Sequence, residues 1–204
     1  MSAPIIFLIS APSGAGKTTV CNALLATNPN LRRVVTSTTR PARPGERHGV
    51  DYHFFSPEEF ARRLAAGEFL EHASVYDRSY GTLKSSVLEL LAAGHDVLLN
   101  IDVQGAASVR QVAANDPVLG RALVTVFLTP ETLAELESRL RSRGSDSEEV
   151  IARRLAEARS EAGRWGEFDY LVVSNTRAED SRRMQAIYDA ERLRSERAVF
   201  ALIP

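Results

Sequence analysis

Residues 11–18 read Ala-Pro-Ser-Gly-Ala-Gly-Lys-Thr, and the apolar run Ile5-Ile6-Phe7-Leu8-Ile9 stands before them. Val20, Leu24 and Leu25 follow at helical spacing. Strand, glycine-rich loop and helix in this order are the setting of a phosphate-binding loop. Glycines let consecutive backbone N–H groups turn onto phosphate oxygens, and the helix N-terminus behind them adds its positive end. Lys17 supplies a mobile charge for β- and γ-phosphates, and the Thr18 hydroxyl suits Mg²⁺. Of the 25 lysines and arginines only Lys17 and Lys84 are lysines. In a chain that otherwise takes arginine for positive charge, a lysine in this loop reads as a requirement of the site. Ala11 stands where the full pattern begins with glycine, and it would be strained if that position needed a positive φ. A chance glycine turn is the bland reading, and the coincidence of strand, loop, Lys-Thr and helix outweighs it.

The 204 residues suit one domain with room for an insertion. Apolar content of 44% and charged content of 25% are those of an ordinary soluble globular chain. A net charge of −1 argues against broad nucleic-acid or membrane binding, which needs a basic surface. One cysteine, Cys21, excludes an intrachain disulfide and reads as core filling. No apolar run reaches membrane-spanning length, and no basic stretch precedes the first one as in a secretion signal. The expectation is a cytoplasmic protein. His48, His53, His72 and His95 show no metal-ligand spacing.

Apolar runs alternate with amphipathic stretches. The patterns predict strands at 5–10, 33–37, 96–101, 122–128 and 169–174. They predict helices at 17–27, 84–93, 104–114, 130–141, 147–163 and 178–198. Such alternation implies an α/β fold, a parallel sheet covered by helices on both faces, with ligands at the carboxyl ends of the strands. Residues 38–83 break the rhythm. Pro41, Pro44, Gly45 and Gly49 mark turns, 52–55 and 69–76 read as short strands, and Ser56-Pro57-Glu58-Glu59 reads as a helix start. This is a small mixed α/β insertion in a body formed by 1–37 and 84–204. Around Gly144-Ser145, arginines 139, 141, 143, 153 and 154 suggest a helical lid at about 139–154.

Within the insertion, Thr36-Ser37-Thr38-Thr39-Arg40-Pro41-Ala42-Arg43-Pro44-Gly45-Glu46 carries two arginines near prolines and beside hydroxyls. Paired guanidinium forks suit a phosphate monoester. From this stretch alone, such a cradle and a solvated charged turn are equally good readings. Gly49-Val50-Asp51-Tyr52, Glu71, Tyr80-Gly81-Thr82 and Ile101-Asp102-Val103-Gln104-Gly105 follow.

With these motifs in order, together with RLRSRG at 139–144 and ARRL at 152–155, nearly the whole chain resembles guanylate kinase. That family moves a phosphoryl group from ATP to GMP. The resemblance implies a P-loop kinase core, a GMP-binding insertion and a helical lid, with Mg²⁺ as cofactor and ATP and GMP, dGMP included, as substrates. It implies ATP on Ala11, Pro12, Ser13, Gly14, Ala15, Gly16, Lys17, Thr18 and Thr19, with Thr18 toward the metal. It puts the GMP phosphate on Arg40, Arg43, Tyr52 and Tyr80, and the guanine against Thr36, Glu71 and Thr82 with Asp102 nearby. Lys17, Arg139, Arg143 and Arg154 become the catalytic set, and Arg141 and Arg153 fall to the solvated surface. Asn100 stands where the family usually has an acidic residue, and Val173-Ser174-Asn175 where it tends to have Val-Asn-Asp.

The chemistry of Glu71 agrees with that role. An ionised carboxylate only accepts hydrogen bonds; guanine offers it N1–H and the N2 amino group, and adenine offers a bare N1 acceptor. Seen alone, Glu71 is an ordinary strand carboxylate. Two competing readings are a catalytically silent scaffolding module and a kinase for another phosphate ester, such as a ribose bisphosphate. The first generally lacks an intact phosphate loop, and the second needs no guanine reader. Oligomeric state is left open, a homodimer included.

Overall fold

The computed structural model of the protein describes residues 2–12, 14–75, 77–141 and 148–198. Ser13 and Arg143 of the expected site, and the Gly144-Ser145 hinge, lie outside them.

The chain opens with β1 (Ile6–Ser10) and α1 (Lys17–Thr27), followed by β2 (Leu31–Arg33), β3 (Ser37–Thr38) and β4 (His53–Phe54). Next come α2 (Pro57–Ala65), β5 (Phe69–Val75), β6 (Arg78–Leu83), α3 (Lys84–Ala92), β7 (Asp96–Asn100), α4 (Val103–Ala114) and α5 (Pro117–Ala122). The remainder holds β8 (Leu123–Pro130), α6 (Leu133–Arg141), α7 (Glu148–Ala162), β9 (Tyr170–Ser174) and α8 (Arg177–Arg192). A parallel five-stranded sheet runs β2-β7-β1-β8-β9, and a mixed four-stranded sheet runs β4-β3-β6-β5.

β1 is buried on both faces, which is why Ile6-Phe7-Leu8-Ile9 are apolar in succession rather than alternating; Ser10 ends it, also buried. Phe7 and Ile9 pack with Val20, Cys21, Leu24, Met184 and Tyr188 of α1 and α8. Ile6 and Leu8 pack on the other face with Val87, Leu91, Val109 and Leu119 of α3, α4 and α5. Each such side chain contributes about 1.5–3 kcal/mol by leaving water. Cys21 is fully buried, as expected of core filling, and burial pushes its thiol up to about 11. The sheet is pinned at the start of its strands by Asp96. Its buried carboxylate accepts from Ile5 N at 2.9 Å and from the Tyr188 hydroxyl at 2.5 Å, and Arg192 stands 3.1 Å away.

Several boundaries differ from the sequence expectation. The strand expected at 33–37 is two strands. Leu31–Arg33 pairs with β7 at the sheet edge, where Arg32 and Arg33 are exposed; Ser37–Thr38 pairs in the other sheet. The helix expected from 130 begins at Leu133, because β8 continues to Pro130 and the Thr132 hydroxyl caps Glu135 N at 3.2 Å. The helix expected to 198 stops at Arg192. Two of the elements named above were not foreseen. One is α5, which Asp116 caps and Pro117 opens. The other is β6, whose strand state rests on its pairing with β3 and β5.

Candidate active site

The site lies at the carboxyl ends of β1 and β7, as parallel sheets require. Leaving β1, the chain turns through Gly14 (φ 93°) and Gly16 (φ 98°), so the left-handed positions are both glycines and Ala11 precedes the turn. Several of the described helices carry a side-chain N-cap: Ser56, Asp102, Asp116 and Thr176 each accept from their own first turn. α1 does not. Gly16 caps it without a side chain, and no acidic residue stands in its first turn. Its leading N–H groups face a cavity of about 350 Å³ lined by Ala11, Pro12, Gly14–Thr19, Asp102 and Glu161. That is the arrangement an anion needs.

Lys17 Nζ donates to Ile101 O at 2.9 Å and to Ala11 O at 3.5 Å, across the mouth from β1 to β7. Burial pulls its ammonium below the usual lysine range, and Asp102 and Glu161 hold it up in part. Thr18 and Thr19 are exposed toward solvent at the same helix start. Arg139 Nη1 donates to Ala15 O at 3.3 Å and to Ser174 Oγ at 3.1 Å, so the end of α6 touches the loop itself. Ser174 Oγ donates in turn to buried Asp180 at 2.7 Å. Beyond the loop, a second cavity of about 400 Å³ is lined by Gly14–Gly16, Thr19, Val20, Arg139, Ser174, Asn175, Arg177 and Asp180. Arg154 is half-buried on α7. Arg141 pairs with Glu137 and Glu148, and Arg153 with Glu157, on the surface where both were expected.

The mixed sheet gathers the other half. Thr38 pairs with Phe54 and Tyr80, and Ala73 with Tyr80. Residues two apart share a strand face. Thr36, Thr38, Tyr52, Phe54, Tyr80 and Thr82 are therefore set on one face of the sheet. Glu71 joins them by a bulge. Phe69 pairs with Leu83, yet Glu71 pairs with Thr82, so one extra residue enters β5 between them. Phe69 packs with Phe60 and Leu83 behind the sheet, and Glu71 turns to the front. There the Thr82 hydroxyl donates to Glu71 Oε1 at 2.6 Å. Burial raises the Glu71 carboxyl above its usual range; the Thr82 bond opposes this, and the charge of Asp102 adds to it.

Two glycines make this packing possible. A Cβ at Gly105 would lie 3.1 Å from Glu71 Oε2 and 3.4 Å from Asp102 Oδ1, so the two carboxylates converge over the start of α4. Asp102 caps that helix through Gly105 N at 2.7 Å and also lines the phosphate cavity, so it joins the two halves of the site. A Cβ at Gly81 would stand 2.8 Å from the Phe69 ring and 2.9 Å from Glu71 O, and a backbone oxygen has little room to yield. Gly81→Ala should destabilise the fold by about 1–3 kcal/mol. Tm should fall by roughly 2–4 °C per kcal/mol. Thermal melting checks this; an unmoved Tm would mean that the strands can spread.

Arg40 and Arg43 occupy the loop after β3. Arg40 lies over the Tyr52 ring at 5.3 Å and the Phe54 ring at 5.7 Å. Glu46 closes this group as its ion partner. Thr36 supplies backbone here, its carbonyl accepting from His53 N at 2.9 Å. Sequence reasoning missed Glu161, Asp180 and Phe54. Glu161 carries no local signal, because its place at the phosphate cavity depends on how α7 folds back.

A family model described as guanylate kinase matches residues 2–191. The guanylate kinase of Sphingopyxis alaskensis is 45% identical over 195 residues, covering 96% of this chain and 86% of that one. The guanylate kinase of Paramagnetospirillum magneticum is 46% identical, covering 96% of this chain and 88% of its own. The crystal structure of guanylate kinase from Anaplasma phagocytophilum superposes with a TM-score of 0.71 at 31% identity, covering 98% of this chain and 92% of that one. Sequence, fold and site geometry thus agree, and this chain belongs to the guanylate kinase family.

Proposed function

We propose that the two cavities and the mixed sheet divide the family reaction, ATP + GMP → ADP + GDP, among named residues of this chain. The observation that carries the proposal is Asp102. It lines the phosphate cavity and meets Glu71 over Gly105, so a phosphate site and a buried carboxylate share one cleft.

ATP lies with its phosphates on the loop 11–19 and its adenosine end toward Ser174 and Asn175 in the second cavity. GMP lies on the front of the mixed sheet. Glu71, oriented by Thr82, accepts from guanine N1–H and N2, with Thr36 and Asp102 beside it. Arg40, Arg43, Tyr52 and Tyr80 take the GMP phosphate. In this division, 38–83 is the GMP-binding insertion, 1–37 and 84–204 are the core, and about 139–154 is the lid. Phosphoryl transfer needs alignment and charge neutralisation more than covalent help. Lys17 follows charge from β- to γ-phosphate, Arg139 reaches the loop already, and Arg143 and Arg154 complete the clamp. Closing the lid over both substrates excludes water and suppresses ATP hydrolysis.

The phosphate cavity offers hard oxygen donors, the Thr18 hydroxyl and the carboxylates of Asp102 and Glu161, and these fit Mg²⁺. When bound, the ion would neutralise phosphate charge, with Thr18 as its protein ligand. We place the enzyme in the cytoplasm, in nucleotide recycling, with dGMP accepted beside GMP. Among the described residues, no helix is long and apolar enough to cross a membrane.

The test is a panel of nucleoside monophosphates and a ribose phosphate, with ATP and a magnesium titration. ADP formation dependent on GMP, and much weaker with AMP, is the expected result. ADP formation with the ribose phosphate alone would move the assignment to another kinase. No turnover at any Mg²⁺ level would mark a binding module.

A further inference from the structure

Glu46 holds two of the three arginine-bearing residues of the loop after β3, Arg40 and Arg43. Its Oε1 accepts from Arg40 Nη2 at 2.8 Å, and its Oε2 from Arg40 Nη1 at 2.9 Å. The same Oε2 accepts from the backbone N–H of Arg43 at 2.7 Å. Arg40 Nη1 also donates to Pro41 O at 2.7 Å, and Arg40 N to Thr38 Oγ1 at 3.1 Å. Glu46 itself is placed by a turn, its N–H donating to Arg43 O at 3.0 Å with Gly45 at φ 89°. The Arg40–Glu46 pair is mostly covered, with side-chain exposures of 16% and 21%.

A free arginine side chain must lose rotamer freedom to bind a phosphate. Arg40 has lost it already. Its end-on fork is taken by Glu46, and the adjacent Tyr52 and Phe54 rings stand 5.3 and 5.7 Å from the guanidinium. An arriving phosphate therefore meets a guanidinium of fixed position.

We propose that Glu46 is a positioning residue for the acceptor phosphate: it holds Arg40 and the Arg43 turn in the geometry that receives the monoester, without touching the substrate. The proposal rests on the assignment of Arg40 and Arg43 to that phosphate. Two effects oppose each other. A carboxylate near a dianion repels it, but the Glu46 charge is already offset by the Arg40 guanidinium it is paired with. The bidentate bond acts directly on the fork, and small misplacements of binding groups are costly. Orientation wins.

Glu46→Gln keeps the size of the side chain but cannot satisfy both η nitrogens and Arg43 N together. KM for GMP should rise roughly tenfold while kcat changes less than about threefold, because the lost interaction serves substrate binding. Guanosine, which lacks the phosphate, should bind wild type and variant equally by calorimetry. Glu46→Asp retains the charge and should recover part of the loss. Arg40→Ala is the control for the site itself. If Arg40→Ala leaves KM for GMP unchanged, the assignment of the phosphate site fails. If it raises KM but Glu46→Gln does not, or lowers it, the positioning role alone is overturned. Equal losses for guanosine and GMP would show a loop support with no phosphate role.

Discussion

Lys17→Ala should lower kcat by about 10²–10³-fold, the scale seen when one preorganised donor to developing charge is removed. The reason lies in what Lys17 does without substrate. Its Nζ spans from Ala11 O to Ile101 O, over the cavity that the uncapped start of α1 faces. The ammonium is held where burial disfavours it, which pulls its pKa down, with Asp102 and Glu161 as partial compensation. A lysine whose folded pKa is lowered costs the fold stability wherever it is charged in both states, so its removal relieves that cost. Against this, Ile101 O loses a donor, at about 1 kcal/mol. The two nearly cancel, and Tm should stay within about 4 °C of wild type. A coupled assay of ADP release and thermal melting on the same preparation reads both quantities. Wild-type turnover in a folded variant would remove this loop from the chemistry.

Glu71→Gln should separate function from stability. The amide keeps an acceptor for the Thr82 hydroxyl but can turn a donor toward guanine N1–H and N2. Loss of the charged acceptor should lower kcat/KM for GMP by about 10²-fold or more, with any gain on AMP smaller than that loss. Stability should move the other way. Burial raises the Glu71 carboxyl above its usual range. A carboxyl raised on folding favours the folded state at low pH and costs it stability as pH rises through the folded pKa. At neutral pH the wild type therefore carries a buried charge that the variant lacks. Relief of about 1 kcal/mol would raise Tm by roughly 2–4 °C. The gap in Tm between variant and wild type should open as pH rises from the ordinary carboxylate range. In the wild type, kcat/KM for GMP should fall as pH drops through the raised Glu71 pKa; the variant should lack that limb. An unchanged GMP-to-AMP ratio would show that Glu71 does not read the base.

These two residues mark the division between what the chain spells out and what its folding decides. The Lys17 half was legible. A strand buried on both faces reads as a nearly continuous apolar run, a phosphate loop needs glycine where φ is positive, and the helix behind it must follow at once. Residues 5–27 carry all three features contiguously, and α1 runs over the predicted residues 17–27. Local physics set those elements, so local sequence reported them.

The Glu71 half was legible as a motif but not as geometry. Strict alternation would put Phe69 and Glu71 on the same face of β5. The bulge between them sends Phe69 back against Phe60 and Glu71 forward to Thr82. It is accommodated because β6 presents Gly81 there, where a side chain would strike both Phe69 and Glu71 O. β6 itself was not foreseen. Arg78-Ser79-Tyr80-Gly81-Thr82-Leu83 has weak strand propensity, and its extended form comes from hydrogen bonding to strands on both sides. Glu161 at the phosphate cavity and Arg139 on Ala15 O are likewise contacts between residues far apart in sequence. Pattern in a chain reports the state of a segment, because that is set over a few residues. Which face a side chain takes, and what it meets there, is set by partners that only the tertiary structure brings near.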